Sequence, residues 1–353
     1  YNMEHEIRQN IPIMYYNIWD DLPDPQYNAN FYRSSDLLMG ISKQTYGINK
    51  RILSNYGYKD WQTAYVPHGI NSKKFFEIED KDTLEFKTFE EEHGLDKYKF
   101  KILYSNRNIR RKSPGDVMLA YKTFMDGLTE EQRKECVMIF HTAPVDDNGT
   151  DLKAVHQALC REYPIIFTHD KKPDGAFNDI EMNYIFNSCD LYINMASNEG
   201  FGLGSLEALT CKKPIIVNVT GGMQDQCGFK KEDGSYLTAE DYVELGSNHR
   251  GAYLKHGEWV KPVFPSNISL QGSPQTPYIF DDRCQYEDAA EALRYWYDKG
   301  PEERERCGNL GYEFAKNKNI GMDSKEMGNR MINSIDTTFE NWKPREKYTL
   351  EVV

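Results

Sequence analysis

Long apolar runs are missing from this 353-residue chain. None approaches the roughly 18–20 residues that a membrane-spanning helix needs, so no integral membrane segment is expected. No signal peptide is visible at the N-terminus. The chain opens on Tyr1 rather than Met, and we expect it to be part of a longer protein. Basic charge is scarce. Lys and Arg number 43 against 55 Asp and Glu, a formal net charge of −12. Proteins that grip nucleic acid or an anionic membrane surface need the opposite balance, so neither is expected as a general partner. Paired cysteines are missing too. Cys136, Cys160, Cys189, Cys211, Cys227, Cys284 and Cys307 include no Cys-x-x-Cys spacing and are odd in number. That pattern fits reduced thiols in a cytoplasmic protein better than a disulfide framework or a zinc site. His5, His141, His156, His249 and His256 stand at no ligand spacing, and no metal is expected. Asp80-Lys-Asp82 has the form of an Asp-x-Asp metal motif, but it lies in a charged stretch with no strand before it and is discounted. There is no internal repeat.

What is there is the make-up of a soluble globular protein, 39% hydrophobic and 28% charged, at a length that calls for two domains. In the first ninety residues, 11–16, 36–41 and 63–67 read as short strands. Residues 42–53 read as a helix with Ser42 as its N-cap. Residues 77–97 are charged and without strand signals, and we place the domain boundary there, on a solvated linker or helix face. From Phe100 strands and helices alternate. Strands are expected at 100–104, 137–140, 165–168, 191–194 and 214–218, with helices near 114–127, 151–162, 179–188 and 203–211. This alternation predicts a parallel sheet covered by helices on both faces, with ligands at the carboxyl ends of its strands. Residues 229–283 break the rhythm and read as an insertion or long loop, a packed surface excursion more readily than a lid or acceptor loop. Residues 285–340 return to helix.

Two segments carry chemistry. Asn198-Glu-Gly-Phe-Gly-Leu-Gly-Ser-Leu-Glu-Ala-Leu209 follows a predicted strand and passes into a predicted helix. Its glycines let backbone approach a ligand, and the N–H groups at the helix start suit an anion such as phosphate. Glu207 shares a helix face with Leu203 and Gly204, so its carboxylate can accept bonds from two vicinal hydroxyls of a ligand seated there. The second segment, Ser105-Asn-Arg-Asn-Ile-Arg-Arg-Lys-Ser-Pro114, places Arg107, Arg110, Arg111 and Lys112 after another strand. In an acidic chain that suggests a diphosphate clamp.

Glu199-Gly-Phe-Gly-Leu-x3-Glu207-Ala-Leu, followed by Cys211-Lys-Lys-Pro-Ile-Ile-Val217 and Gly221-Gly222, resembles the signature of retaining nucleotide-sugar glycosyltransferases of the family 4 type. Arg107 and Lys112 match that family's Arg and Lys in the first strand–loop of the C-terminal domain, and Val66-Pro-His-Gly-Ile-Asn-Ser-Lys-Lys-Phe75 is similar to the stretch that ends its N-terminal domain. The resemblance spans about residues 11–330. It implies an α/β protein of GT-B architecture with two Rossmann-like domains. Residues 1–90 would be an N-terminal acceptor-side domain, incomplete in this chain. Residues 91–330 would be the sugar-nucleotide domain, and 331–353 a helix end and tail crossing back to the first.

The reaction implied is transfer of a hexose, mannose or glucose, from a nucleoside-diphosphate sugar to a glycan or other hydroxyl acceptor. It would proceed without a metal or cofactor, by front-face attack with retention. Arg107 and Lys112 would hold the diphosphate. Glu199, with backbone from Gly200 through Phe201 to Gly202, would contact the donor sugar. Leu203, Gly204 and Glu207 would hold the nucleotide, with the ribose hydroxyls on Glu207. The base would lie near Thr168, His169 and Asp170. A guanine-reading carboxylate at Asp170 or Asp174 puts GDP-mannose first and UDP-glucose second. Where the family often has a His after the first-domain strand, this chain has Asn17-Ile-Trp-Asp20, which makes Trp19 or Asp20 a candidate to face the acceptor. The competing expectations are a non-catalytic sugar-nucleotide-binding protein and another GT-B enzyme such as an epimerase, for which no general acid/base pair is evident.

Overall fold

The computed structural model describes residues 2–172 and 177–346. Three short parallel strands, β1 (Met14–Asn17), β2 (Leu37–Gly40) and β3 (Thr63–Tyr65), form the first sheet in the order β1-β2-β3. All four residues of β2 are buried, as expected of a central parallel strand covered on both faces. One cover is the helix Lys43–Leu53. It starts where the Ser42 side chain accepts the Thr45 N–H, and it lays Ile48, Ile52 and Leu53 over Leu38. The other cover comes from far along the chain. The helix Ser324–Asn341 brings Met327 and Met331 against Leu37, Met39 and Val66.

The strand expected over 11–16 begins only at Met14. Pro12 has no N–H to give, and the Ile13 N–H is taken by the Asp36 carboxylate at 2.9 Å, so only the Ile13 carbonyl reaches β2. Likewise, the charged stretch before residue 97 contains a helix, Leu84–His93, anchored by buried Phe86 and Phe89 and ended by Gly94 in the left-handed conformation.

The second sheet holds six parallel strands: β4 (Phe100–Ser105), β5 (Cys136–His141), β6 (Ile165–Phe167), β7 (Leu191–Asn194), β8 (Ile215–Asn218) and β9 (Val260–Val263). Their spatial order is β6-β5-β4-β7-β8-β9. The chain therefore builds outward from β4 on one side, then crosses back to lay β7 on the other. This reversal opens a crevice between the carboxyl ends of β4 and β7, the place where ligands of doubly wound sheets bind. Both segments singled out from the sequence leave the sheet there.

The stretch 229–283 is more structured than expected. Val260–Val263 is the sixth strand, paired in register with β8, and its Pro262 is tolerated because β9 lies at the sheet edge. Beyond it, β10 (Asn267–Gln271) and β11 (Ile279–Arg283) form an antiparallel hairpin that leaves the sheet altogether. A long helix, Tyr286–Lys316, broken at Gly300-Pro301, then buries Leu293 and Trp296. No helix among the described residues is long and apolar enough to cross a membrane.

Candidate functional site

The crevice contains a cavity of about 790 Å³, walled on one side by the loops after β4 and β7 and on the other by residues 15–21, His68 and β11. A volume of this size accommodates a small-molecule ligand. The loop after β7 is held by polar side chains from β8 and the turn of helix that follows it. Asn218 donates to the Ala196 carbonyl at 2.9 Å, and Gln226 donates to the carbonyls of Phe201 and Gly202 at 2.8 and 3.0 Å. The loop then turns into the helix Leu203–Thr210 at Gly202, whose φ of 84° few side chains adopt. Two residues on, a Cβ at Gly204 would lie 2.2 Å from the Tyr192 hydroxyl, and that buried ring is itself fixed by donation to the Ser105 carbonyl at 3.1 Å. The close approach lets the helix start sit directly above β7. Gly204→Ala should therefore destabilise the chain by about 1–3 kcal/mol, as overpacking does. Denaturant unfolding would measure it, and an unchanged midpoint would show that the ring moves freely.

Lys112 is buried at the end of the turn Arg110–Lys112, with its carbonyl accepting the Tyr104 hydroxyl at 3.1 Å. Its ammonium is hydrogen-bonded to Glu199. Burial holds the Lys112 pKa below the usual lysine range, against the opposing pull of Glu199. Arg111 donates to the Asn198 carbonyl at 2.7 Å, stands 3.7 Å from the Glu199 carboxylate and remains 44% exposed, so much of its guanidinium is open to a ligand. Glu207 lines the same cavity one turn into the helix. Its carboxylate makes no hydrogen bond or ion pair with any described residue, and burial pushes its pKa up to about 7.

The structure brings Lys112, Glu199, Gly200, Phe201, Gly202, Leu203, Gly204 and Glu207 into one cavity. It does not bring Arg107 there. That guanidinium faces outward, 64% exposed, and pairs with Asp146 at 3.0 Å. Arg110 and Arg111 line the cavity where Arg107 does not. Thr168, His169 and Asp170 form a turn after β6, on the opposite edge of the sheet from β9, and are not among the cavity's lining residues. Thr168 is buried against His141, and Asp170 pairs with Lys153 at 2.6 Å. Asp174 lies outside the described residues.

Residues that the sequence did not mark complete the cavity. Asp21 bonds to Asn198 across the crevice, and burial beside Asp20 pushes its pKa up to about 9. Trp19 and Asp20, which the sequence did mark, line the cavity beside it, and Asp20 is likewise raised by burial. Ile279 and Asp281 arrive from β11. No motif announces them, because the hairpin places them from some eighty residues beyond the Gly-rich loop.

Residues 175–241, which include Glu199 and Glu207, match the family model described as glycosyl transferases group 1. Anabaena Alr3699/HepE, solved in complex with UDP and glucose, superposes with a TM-score of 0.62 at 13% identity, covering 92% of this chain and 71% of that one. The fold is the GT-B fold of glycosyltransferases. Sucrose-phosphate synthase from Thermosynechococcus elongatus (TM-score 0.57, 16% identity, 89% of this chain and 61% of that one) is similar in fold. So is a glycosyltransferase from Rickettsia africae (TM-score 0.59, 14% identity, 91% and 69%). No curated protein matches the chain in sequence.

Proposed function

We propose that the chain is a retaining hexosyltransferase that takes its sugar from a nucleoside diphosphate. One observation carries the reading. At the crevice between β4 and β7, a buried lysine, a half-exposed arginine and the start of the helix Leu203–Thr210 surround one cavity that also holds the unpartnered carboxylate of Glu207. Cations and helix N–H groups suit a diphosphate, and a free carboxylate suits the vicinal hydroxyls of a ribose. The similarity in fold to a protein solved with UDP and glucose supports it.

The chemistry follows from where charge develops. The bond between the sugar's anomeric carbon and the phosphate oxygen breaks through an oxocarbenium-like state, and negative charge grows on the leaving diphosphate. Lys112, Arg111 and the helix N-terminus stabilise that charge. The acceptor oxygen bonds to the anomeric carbon from the face the diphosphate leaves, and its proton passes to a diphosphate oxygen, so no enzymic nucleophile is needed. Glu199 positions Lys112 and Arg111 and lies next to the donor sugar.

Calorimetric titration with GDP, UDP and ADP tests the reading and identifies the base. One diphosphate should bind at micromolar strength. Arg111→Ala should weaken it by about 10-fold, the worth of a charge-assisted hydrogen bond, and Arg107→Ala should weaken it less. Equal losses in the two variants would return Arg107 to the clamp. No binding of any of the three would sink the proposal.

A further inference from the structure

The two walls of the cleft differ in charge. Every Lys or Arg that lines it (Arg110, Arg111 and Lys112) comes from the loop after β4. The opposite wall brings Asp20, Asp21 and Asp281 with Tyr15 and Trp19, and no basic chain other than His68, whose pKa burial lowers. The β10–β11 hairpin closes that wall, and it does so by the alternation of a strand. Ile279 and Asp281 line the cavity, while Tyr278 and Phe280 fasten the strand on either side. The Tyr278 hydroxyl accepts the Gln26 N–H at 3.2 Å, and its carbonyl accepts the Tyr27 hydroxyl at 3.0 Å. The Phe280 N–H donates to the Leu22 carbonyl at 2.5 Å, and its carbonyl accepts Asn198 Nδ2 at 2.7 Å. One strand is thereby bonded to both halves of the cleft. The same fastening fixes the aromatic wall. Trp19 packs edge-on to Tyr27, Tyr27 packs edge-on to Tyr278, and the Trp19 indole donates to the Asp21 carbonyl at 2.8 Å.

We propose that the β10–β11 hairpin is the acceptor-selecting wall of the cleft, and that with Trp19 and Asp20 it takes an uncharged sugar while turning away one that carries a phosphate or a carboxylate. This rests on the basic wall being the donor side. A sugar hydroxyl donates to the Asp281 and Asp20 carboxyl groups, and a sugar's C–H face packs on an aromatic ring. An anion brought to the same wall loses its water and finds no lysine or arginine there to replace it.

The test is transfer by the whole chain from the nucleoside diphosphate hexose to matched acceptors, each sugar offered free, as its phosphate ester and as its uronic acid. The unaltered chain should favour the uncharged members by about 10-fold or more in kcat/KM, and Asp281→Lys should narrow or invert that preference by a similar factor. Asp281→Asn, which keeps the size and loses the charge, should lower transfer to uncharged sugars without admitting the anionic ones. Thermal unfolding checks that both variants fold. Preference for anionic acceptors, transfer to none of the panel, or a folded Asp281→Lys with the parent's preference overturns the proposal. Nucleoside diphosphate binding by the unaltered chain is read separately by calorimetry. Binding without the expected acceptor preference removes the hairpin's role alone, whereas no binding removes the donor reading beneath it.

Discussion

Replacing Lys112 by methionine should lower the rate of sugar transfer by about 10²–10³-fold, the usual loss when one preorganised donor to a developing negative charge is removed. The geometry behind this is the burial of the ammonium at the β4–β7 crevice, within a hydrogen bond of Glu199. That contact makes the single variant ambiguous. Removing Lys112 leaves the buried Glu199 carboxylate with the Asn194 amide at 3.4 Å and, as its counter-ion, only the more distant Arg111, and breaking a buried pair in this way costs about 3–5 kcal/mol. The loss of rate could then reflect a collapsed loop. The double variant Lys112→Met with Glu199→Gln separates the causes. It has no orphaned charge, so unfolding in denaturant should return most of the lost stability. Transfer should stay slow, because the diphosphate still lacks its cation. Recovery of the rate along with the stability would show Lys112 to be only a counter-ion for Glu199.

The second large effect belongs to Glu207, and it carries its own internal control. Glu207→Gln should weaken nucleoside diphosphate binding by about 10–100-fold, since hydrogen bonds to a charged group contribute roughly 1.5–3 kcal/mol. The carboxylate is the form that accepts two hydroxyls, and burial places its pKa at about 7. Affinity in the parent should therefore rise with pH through about 7, and this step should vanish in the glutamine variant. Stability should move the other way. A carboxyl whose pKa is raised from 4.5 to about 7 on folding binds its proton more tightly in the folded chain. Its contribution is present in full below the unfolded value and is lost as pH rises through the folded one. At pH 8 the ionised group costs on the order of 3 kcal/mol, so the ligand-free glutamine variant should unfold at a higher temperature than the parent there, and the gap should shrink toward pH 4.5. Parallel pH profiles in parent and variant would mean that the titrating group lies elsewhere.

The alternation of strand and helix from Phe100 was legible because it depends on local signals: apolar runs of four to six residues, Gly and Pro punctuation, and helix caps such as Asn178 before Asp179–Ser188. The Gly-rich loop and the basic loop were legible for the same reason. A tight turn into a helix needs glycine within a few positions, and a strand's carboxyl end is found once the strand is found. Their convergence in one crevice was also implied, since both follow strands of a parallel sheet. The shortened β1 was not visible, because the group that takes the Ile13 N–H is Asp36, more than twenty residues away. Nor was β9. Val260-Lys-Pro-Val263 carries too weak an apolar run, and a proline, and becomes a strand only because β8 offers it an edge.

The side chains that fill the cavity divide along the same line. The sequence by itself placed Lys112, Glu199, Gly202 and Glu207 at the carboxyl ends of neighbouring parallel strands, where they line one cavity, because turn geometry and helix periodicity act over short distances. Only the tertiary structure decided that Arg111 rather than Arg107 points inward, since the direction depends on Asn198 accepting one guanidinium and Asp146 capturing the other. Only the tertiary structure set Asp281 and Ile279 opposite them, through a hairpin pinned by Leu22, Tyr27 and Asn198. Hydrogen bonds between residues 80 to 260 positions apart leave no periodic trace in the chain. They form only after two sheets have folded and met, and that meeting places the second wall of the cleft.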